Sequence, residues 1–370
     1  MIKFNEKIAV RVFGILAEIW HKKKGIFSKV VLPQDIYLPK FKNNRDMANW
    51  FFYSALPMRG GLISEDPMKW LFALYKANPE IFNPVEVSVK WNAEKILDAF
   101  KNVTSGIING NGKGKNGGGA LSYKMDEHAR AWYENSVVLS KYWGGDLRNV
   151  YWGCIDFEEA FRRVDYYRTK AGFKGMRRKI FSLLTIWLQE KNLIPIFPGP
   201  IPVDFHALRI MCSTDIIDFK KTAKPFIRKN SKHPEALAGK LTIRISEKFM
   251  DTAAKWTQKF LYKSNLSYMY VNPAVWVLSR ELCAKHVQNA SRSNGSKFNE
   301  TEIEKFSSKK YREPCGSCPI EEFCKWSFPA APYYKWGLLT RIGKRVSHPQ
   351  QVLRGVDWGD FLTPKRSMRR

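Results

Sequence analysis

Three cysteines lie close together in the C-terminal part of the chain, and their spacing suits a metal centre. Cys315, Cys318 and Cys324 form a C-x2-C-x5-C pattern, so their thiolates can converge on one site. Zinc sites and iron–sulfur clusters take four ligands, and Cys283 is the best candidate for the fourth because it ends a predicted helix. The spacing alone suits zinc as well as iron, and a disulfide pair is the other alternative.

The surroundings of these cysteines favour metal binding over disulfide formation. The N-terminal apolar stretch does not resemble an export signal, because charged residues interrupt it: Glu6, Lys7, Arg11 and Glu18. We therefore expect an intracellular location, cytoplasmic and nucleoid-associated or otherwise inside the cell, where thiols stay reduced. The remaining cysteines, Cys154 and Cys212, have apolar or mixed neighbours and are predicted to be core residues.

The charge of the chain indicates a polyanionic partner. There are 62 Lys and Arg against 34 Asp and Glu, a formal net charge of +28. Double-stranded DNA is the partner we expect, since Lys and Arg displace its condensed counterions. A membrane is not expected, because no run of about 18 apolar residues occurs. A merely solubilising surface is the alternative.

Hydrophobic periodicity predicts a mainly α protein, with few alternating strand patterns. The helix predicted to carry Cys283 has Asn272 as its cap and Pro273 in its first turn. Residues 105–120 are rich in glycine and are predicted to form a flexible loop. One more helix is predicted to start after Asp204. The helix that carries Cys283 is predicted over 273–286, and the remaining predicted helices span residues 8–20, 46–56, 66–77, 126–142, 156–168, 176–190 and 245–262.

Residues 171–184 combine a glycine turn with a following helix. Gly172 and Gly175 allow a tight turn that can aim backbone N–H groups at a phosphate. Arg177 and Arg178 add positive charge, so these four residues are candidate DNA contacts. An ordinary glycine turn before a helix explains the same pattern.

The segment from Pro273 to Trp326 resembles the iron–sulfur loop of the endonuclease-III-like DNA glycosylases, within the helix-hairpin-helix superfamily. In that family a helix ends in the first cysteine, and C-x2-C-x5-C follows with an acidic residue before the last cysteine. Here 31 residues (284–314) separate Cys283 from Cys315, where the family has a short loop. The resemblance implies a [4Fe–4S] cluster on the four cysteines, with zinc as the alternative.

The resemblance continues upstream, where 171–184 looks like the family's hairpin and the helix after it. Residues 201–211 are similar to the family's catalytic segment, which has an apolar residue, Asp, His and Arg, and the matching residues are Val203, Asp204, His206 and Arg209. This implies a catalytic Asp204, whose anion would stabilise positive charge on the sugar as the glycosidic bond breaks. The structural reading of Asp204 is a helix N-cap, and both readings can hold together. His206 is predicted to be structural.

A lysine nucleophile would add strand cleavage to base removal. An ungapped match of the hairpin from Gly172 places Met176 at the family's lysine position. A match that starts at Gly175 brings in Lys179, and it then requires Arg177 where the family has its second glycine. Lys179 is therefore a candidate nucleophile, and the alternative is a monofunctional enzyme.

Further DNA contacts follow from the resemblance. Leu56 lies near the position from which the family inserts a wedge into the duplex, although a core leucine is the alternative. The cluster loop would present basic residues to the phosphate backbone, and the candidates are Lys309, Lys310, Arg312 and Lys325.

The implied fold has two helical lobes with a DNA cleft between them. Residues 45–200 would form the six-helix barrel with the hairpin near 171–180, and residues 1–44 plus 201–330 the cluster lobe. Residues 331–370 would be a basic C-terminal extension.

The implied activity is that of a monomeric DNA glycosylase. It would flip a damaged or modified base out of the helix and cleave its N-glycosidic bond, as in base-excision repair. Insertions at 103–125, 191–200 and 218–241 suggest an unusual modified base. The rivals are a non-catalytic DNA-binding relative of this fold and a zinc-stabilised nucleic-acid-binding protein.

Overall fold

The prediction of a mainly α protein is confirmed by the structure, a computed structural model. It describes residues 2–58, 64–110, 124–225, 241–284, 318–324, 333–335 and 338–340. In the described part of the chain the helices are α1 (Glu6–His21), α2 (Pro33–Ile36), α3 (Asn44–Ala55), α4 (Glu65–Ala77), α5 (Pro84–Lys90), α6 (Ala93–Gly110), α7 (Met125–Trp143), α8 (Phe157–Val164), α9 (Arg178–Glu190), α10 (Phe205–Ser213), α11 (Phe219–Thr222), α12 (Glu247–Lys263) and α13 (Tyr268–Val277).

The chain divides into two compact units. Unit 1 comprises Met1–Val30 and Pro200–Arg370, and unit 2 comprises Val31–Gly199. The lobes predicted from the sequence have their boundaries after residues 44 and 200. Unit 1 contains Asp204, Cys283, Cys318 and Cys324, and unit 2 contains the glycine hairpin.

Unit 1 is built around α1, which packs against α13. The Asn5 side chain caps α1 by accepting a hydrogen bond from the Ile8 N–H at 3.2 Å, which satisfies a free N–H of the first turn. Val12, Phe13 and Leu16 recur at helical spacing and are fully buried. The start of the chain is also fixed to a distant segment, because the Asn5 N–H donates to the Ile216 carbonyl at 2.8 Å.

Unit 2 has a core of aromatic rings. Tyr53 on α3 stacks on Trp132 of α7 with ring centroids 4.3 Å apart, and Phe82 meets both rings edge-on. The buried Asn49 side chain donates to the Gly145 carbonyl at 2.8 Å and accepts from the Leu147 N–H at 3.1 Å. These bonds satisfy the buried Asn49 amide and hold the turn after α7 against α3.

A small antiparallel sheet belongs to unit 1. Its strands are β1 (Lys224–Pro225), β2 (Leu241–Arg244), β3 (Tyr333–Lys335) and β4 (Leu338–Thr340), and their order is β1-β2-β4-β3. β4 pairs with β2 in the register Ile243 opposite Leu339. Part of the predicted C-terminal extension is therefore integrated into unit 1.

Two predicted helix boundaries are wrong. The helix that carries Cys283 begins at Tyr268 with Ser267 as its cap, so Asn272 is not the cap and Pro273 lies inside α13. Residues Leu278–Ala284 then continue as a π-helical turn that contains Cys283. In such a turn the backbone hydrogen bonds span five residues instead of the four of an α-helix. Helix α8 ends at Val164 instead of 168, because the chain turns into the hairpin there.

The glycine-rich loop predicted over 105–120 is wrong in its first part. Helix α6 runs on to Gly110 and so takes up the first six residues of that range. Residues 111–123 lie outside the described part of the chain.

Candidate functional site: the glycine hairpin and the Asp204 helix

The hairpin loop, residues 165–177, connects α8 to α9. Both of its glycines are required by the backbone. Gly172 is buried and its N–H donates to the Thr169 carbonyl at 3.1 Å, which corrects its assignment as a DNA contact. Gly175 has φ +79°, which side chains with a Cβ rarely adopt, and a Cβ on Gly172 would lie 2.4 Å from the Tyr166 Cα. The buried Asn135 of α7 holds the loop from below, donating to the Lys174 carbonyl at 3.0 Å and accepting from its N–H at 2.7 Å.

We expect Gly172→Ala and Gly14→Ala to have opposite effects on stability. A methyl group at Gly172 must push backbone atoms of Tyr166 away, so the free energy of unfolding should fall by about 2–3 kcal/mol. Gly14 lies inside α1 with nothing within 4 Å of its Cβ position, so alanine there should add about 0.5–1 kcal/mol. Urea unfolding of both variants measures the difference. A Gly172→Ala protein as stable as wild type would contradict the close approach.

The two arginines of the hairpin differ in their surroundings. Arg177 is exposed, and it donates to the Tyr167 hydroxyl at 3.2 Å. Arg178 has a side chain only 11% exposed, because its guanidinium pairs with Glu158 and lies over the Phe161 ring at 4.7 Å. Arg178 is thus committed to a contact between α8 and α9. The predicted DNA contact is therefore wrong for Arg178, whereas Arg177 remains a candidate DNA contact.

We expect Glu158→Gln to lower the free energy of unfolding by about 1–2 kcal/mol, since it leaves the Arg178 cation mostly buried without its counter-charge. This loss of stability is smaller than for a fully buried ion pair, because Glu158 is 34% exposed and solvent screens its interaction with Arg178. The matched control is Glu127→Gln, whose pair with Lys124 is about half exposed on both sides and should change stability by less than about 0.5 kcal/mol. Equal losses in the two variants would contradict the structural role of Arg178.

The candidate nucleophile lies in the first turn of α9. Lys179 is the second residue of that helix and is half-buried. Met176, the residue at the lysine position in the other match, is 2% exposed and belongs to the core of unit 2. Arg177 has φ −76°, so the backbone does not require glycine at the position where the match through Lys179 departs from the family.

Asp204 begins the helix that the family resemblance marks as catalytic. Its Oδ1 accepts hydrogen bonds from the N–H groups of His206 at 2.8 Å and Ala207 at 3.1 Å, so the predicted N-cap is present. The side chain is half-buried at the positive end of the α10 dipole, a favourable place for an anion. The residues before it, Ile201 to Val203, are buried and fix the approach of the chain to the helix.

A buried polar network continues from Asp204 into the π-helical turn. His206 Nδ1 and the Ser279 hydroxyl lie 3.2 Å apart, and Arg209 donates to the same hydroxyl at 3.2 Å. Arg209 is 3% exposed and Ser279 is fully buried, which fits the structural role predicted for His206. Burial raises the pKa of the Cys283 thiol to about 11, and the nearby charge of Arg209 opposes part of that rise.

The described cysteines of the predicted cluster lie in unit 1. Cys318 and Cys324 are half-buried and flank a turn in which the Glu321 N–H donates to the Cys318 carbonyl at 3.1 Å. Buried Ile320 anchors this turn, and the Phe323 ring lies under Arg11 of α1 at 4.5 Å. Among the described residues, no group of three His, Cys, Asp or Glu is placed as a metal site requires.

Several predicted site residues lie outside the described residues: Cys315, Lys309, Lys310, Arg312 and Lys325. Leu56 is described and is 2% exposed in the core of unit 2. A wedge must reach between base pairs, so this placement corrects the assignment of Leu56 and supports the core alternative. Cys212 is fully buried and Cys154 half-buried, as expected for residues with a packing role.

Sequence reasoning missed two residues that organise the site. Ser279 connects His206 with Arg209, and Asn135 holds the hairpin loop. Asn135 had a detectable signal, because it shares an apolar face of α7 with Ala131 and Leu139 at helical spacing. A polar residue on such a face needs a partner when buried.

The chain matches no family model, no curated protein and no solved structure. No helix within the described ranges is long and apolar enough to cross a membrane.

Proposed function

We propose that this protein is a DNA glycosylase that cleaves the N-glycosidic bond of a base extruded from double-stranded DNA. The observation that carries the proposal is Asp204, a half-buried carboxylate held by two backbone N–H groups at the start of α10. A carboxylate fixed in this way does not need to reorganise when positive charge develops on the sugar. It can also orient the attacking water.

The hairpin loop supplies the second part of the proposal. Its backbone is fixed by Gly172, Gly175 and the Asn135 bonds, and the N–H groups of Gly172 and Lys174 are used within the fold. The loop leads into the first turn of α9, a positive helix end that favours a phosphate, and exposed Arg177 at its N-cap adds a cation. The net charge of +28 favours association with the duplex at low salt.

The proposed cofactor is a [4Fe–4S] cluster on Cys283, Cys315, Cys318 and Cys324. The support is the C-x2-C-x5-C spacing, because thiolates are the ligands that such clusters take. The three described cysteines, Cys283, Cys318 and Cys324, are not grouped as a metal site. When bound, the cluster would cross-link these segments of unit 1 and shape the loop around them. The chemistry at the sugar belongs to Asp204.

The test is an abasic-site assay on a panel of duplexes that each carry one modified or damaged base. The proposal predicts alkali-sensitive breaks at the modified position of at least one duplex. Borohydride trapping on the same substrates distinguishes a Lys179 Schiff base from monofunctional hydrolysis. Salt-sensitive duplex binding with no abasic product on any substrate would contradict the proposal and would support the alternative, a non-catalytic DNA-binding protein.

A further inference from the structure

The hairpin loop and α7 line an open groove whose tyrosines have no role in the proposed base excision. Its volume is about 750 Å³, within the size range of pockets that hold small ligands. We name it the tyrosine groove, after the three tyrosines among the residues that line it, Tyr133, Tyr166 and Tyr167. All of its lining residues belong to unit 2.

The tyrosine groove offers exposed aromatic faces. Tyr166 is 44% exposed and Tyr167 is 74% exposed, and their rings meet edge-on with centroids 5.5 Å apart. Gly172 permits this arrangement, because any Cβ there would collide with the backbone of Tyr166.

Positively charged side chains lie beside these rings. Arg168 and Lys170 line the groove and are exposed, and Arg177 donates a hydrogen bond to the Tyr167 hydroxyl at 3.2 Å. The nearby carboxylates are Glu134, which pairs with Lys174 at 2.7 Å, and Asp165, which pairs with Arg168 at 3.3 Å. Four cations thus face two carboxylates, so the surroundings of the rings are positive.

We propose that the tyrosine groove binds single-stranded DNA, with bases stacked on Tyr166 and Tyr167 and with Arg168 and Lys170 on the phosphates. Exposed aromatic faces next to a positive track are the features by which proteins hold unpaired strands without sequence preference. Base-paired DNA does not present its base faces, so this groove selects unpaired nucleotides. The inference is independent of base excision and of Asp204.

The experiment measures binding of a fluorescent oligothymidine to the full-length protein by anisotropy. Tyr167→Ala should weaken binding about tenfold, since one stacked base is lost. Tyr167→Phe keeps the ring and should stay within about twofold of wild type. The matched control is Tyr262→Ala on α12, because Tyr262 is 73% exposed but lies in unit 1, and its loss should leave binding unchanged.

The phosphate contact has its own readout. Arg168→Ala should reduce the slope of log Kd against log salt by about 0.7, the value for one phosphate of a single strand. Lys255→Ala on α12, an exposed cation of unit 1 that pairs with Asp251 at 3.0 Å, should leave that slope unchanged. Thermal unfolding of each variant checks that the fold is intact.

The proposal is overturned if Tyr167→Ala binds the strand as tightly as wild type, or if Tyr262→Ala weakens binding as much. It is also overturned if Tyr167→Phe loses as much affinity as Tyr167→Ala, because the hydroxyl and Arg177 would then carry the contact. Loss of base release in Asp204→Asn with unchanged oligothymidine binding would show that the two sites are separate.

Discussion

Asp204→Asn should slow base release by about a hundredfold to a thousandfold without unfolding the protein. Asparagine has no charge to offer to a sugar cation, so the electrostatic contribution to the transition state is lost. It remains a good N-cap, because its side-chain oxygen still accepts from the N–H groups of His206 and Ala207. Single-turnover rates on a cleaved duplex measure the effect.

The control for this variant is Asp156→Asn. Asp156 caps α8 in the same way, accepting from the Glu159 N–H at 2.8 Å, but it lies in unit 2, whereas Asp204 lies in unit 1. Both substitutions should change the free energy of unfolding by less than about 0.5 kcal/mol. Full base release by Asp204→Asn would refute the catalytic assignment, since a cap residue alone does not need its charge.

Cys324→Ser should remove the metal and destabilise unit 1 by more than about 4 kcal/mol. A metal bound by Cys283, Cys318 and Cys324 would contribute its binding free energy to folding, so the loss of one ligand should lower the free energy of unfolding of unit 1. The wild-type protein, purified without oxygen, should contain about four irons per chain with matching sulfide. The variant should be colourless, and chemical denaturation should show its lower stability.

Cys154→Ser is the matched control for the metal prediction. Cys154 is half-buried in unit 2 and donates weakly to the Val150 carbonyl at 3.5 Å, a bond that serine can replace. Its iron content should equal that of wild type. Zinc without iron in the wild-type protein would support the zinc-stabilised alternative, and unchanged metal content in Cys324→Ser would exclude Cys324 as a ligand.

Helices with a regular apolar period were predictable to within a few residues. Predictions of 126–142 and 176–190 compare with Met125–Trp143 and Arg178–Glu190 in the structure. The start of α13 was not predictable in this way, because hydrophobic residues surround its whole axis and give no one-sided pattern. Pro273 added to the error, since proline is typical of the first turn of a helix and here lies inside one. Strands of three or four residues, such as β2 and β4, are too short for alternation to be recognised.

The candidate site was predictable where a local rule determines it. Asp204 caps α10 because a side-chain oxygen bonds N–H groups two and three residues on, which a sequence encodes directly. Ser279 and Asn135 act on partners 70 and 39 residues away, and no local pattern identifies those partners. Leu56 was ambiguous for the same reason, since only the packed core distinguishes a buried leucine from a wedge.

Unit 1 is assembled from two segments that are distant in sequence, and this has a consequence for biosynthesis. Helix α1 leaves the ribosome before unit 2, yet α13 and the Ile216 carbonyl that receive it are made more than 190 residues later. The continuous segment Val31–Gly199 is complete well before then and can fold as synthesis proceeds. The apolar side of α1 must therefore stay exposed during much of translation, which makes it the part of the nascent protein that a chaperone would guard.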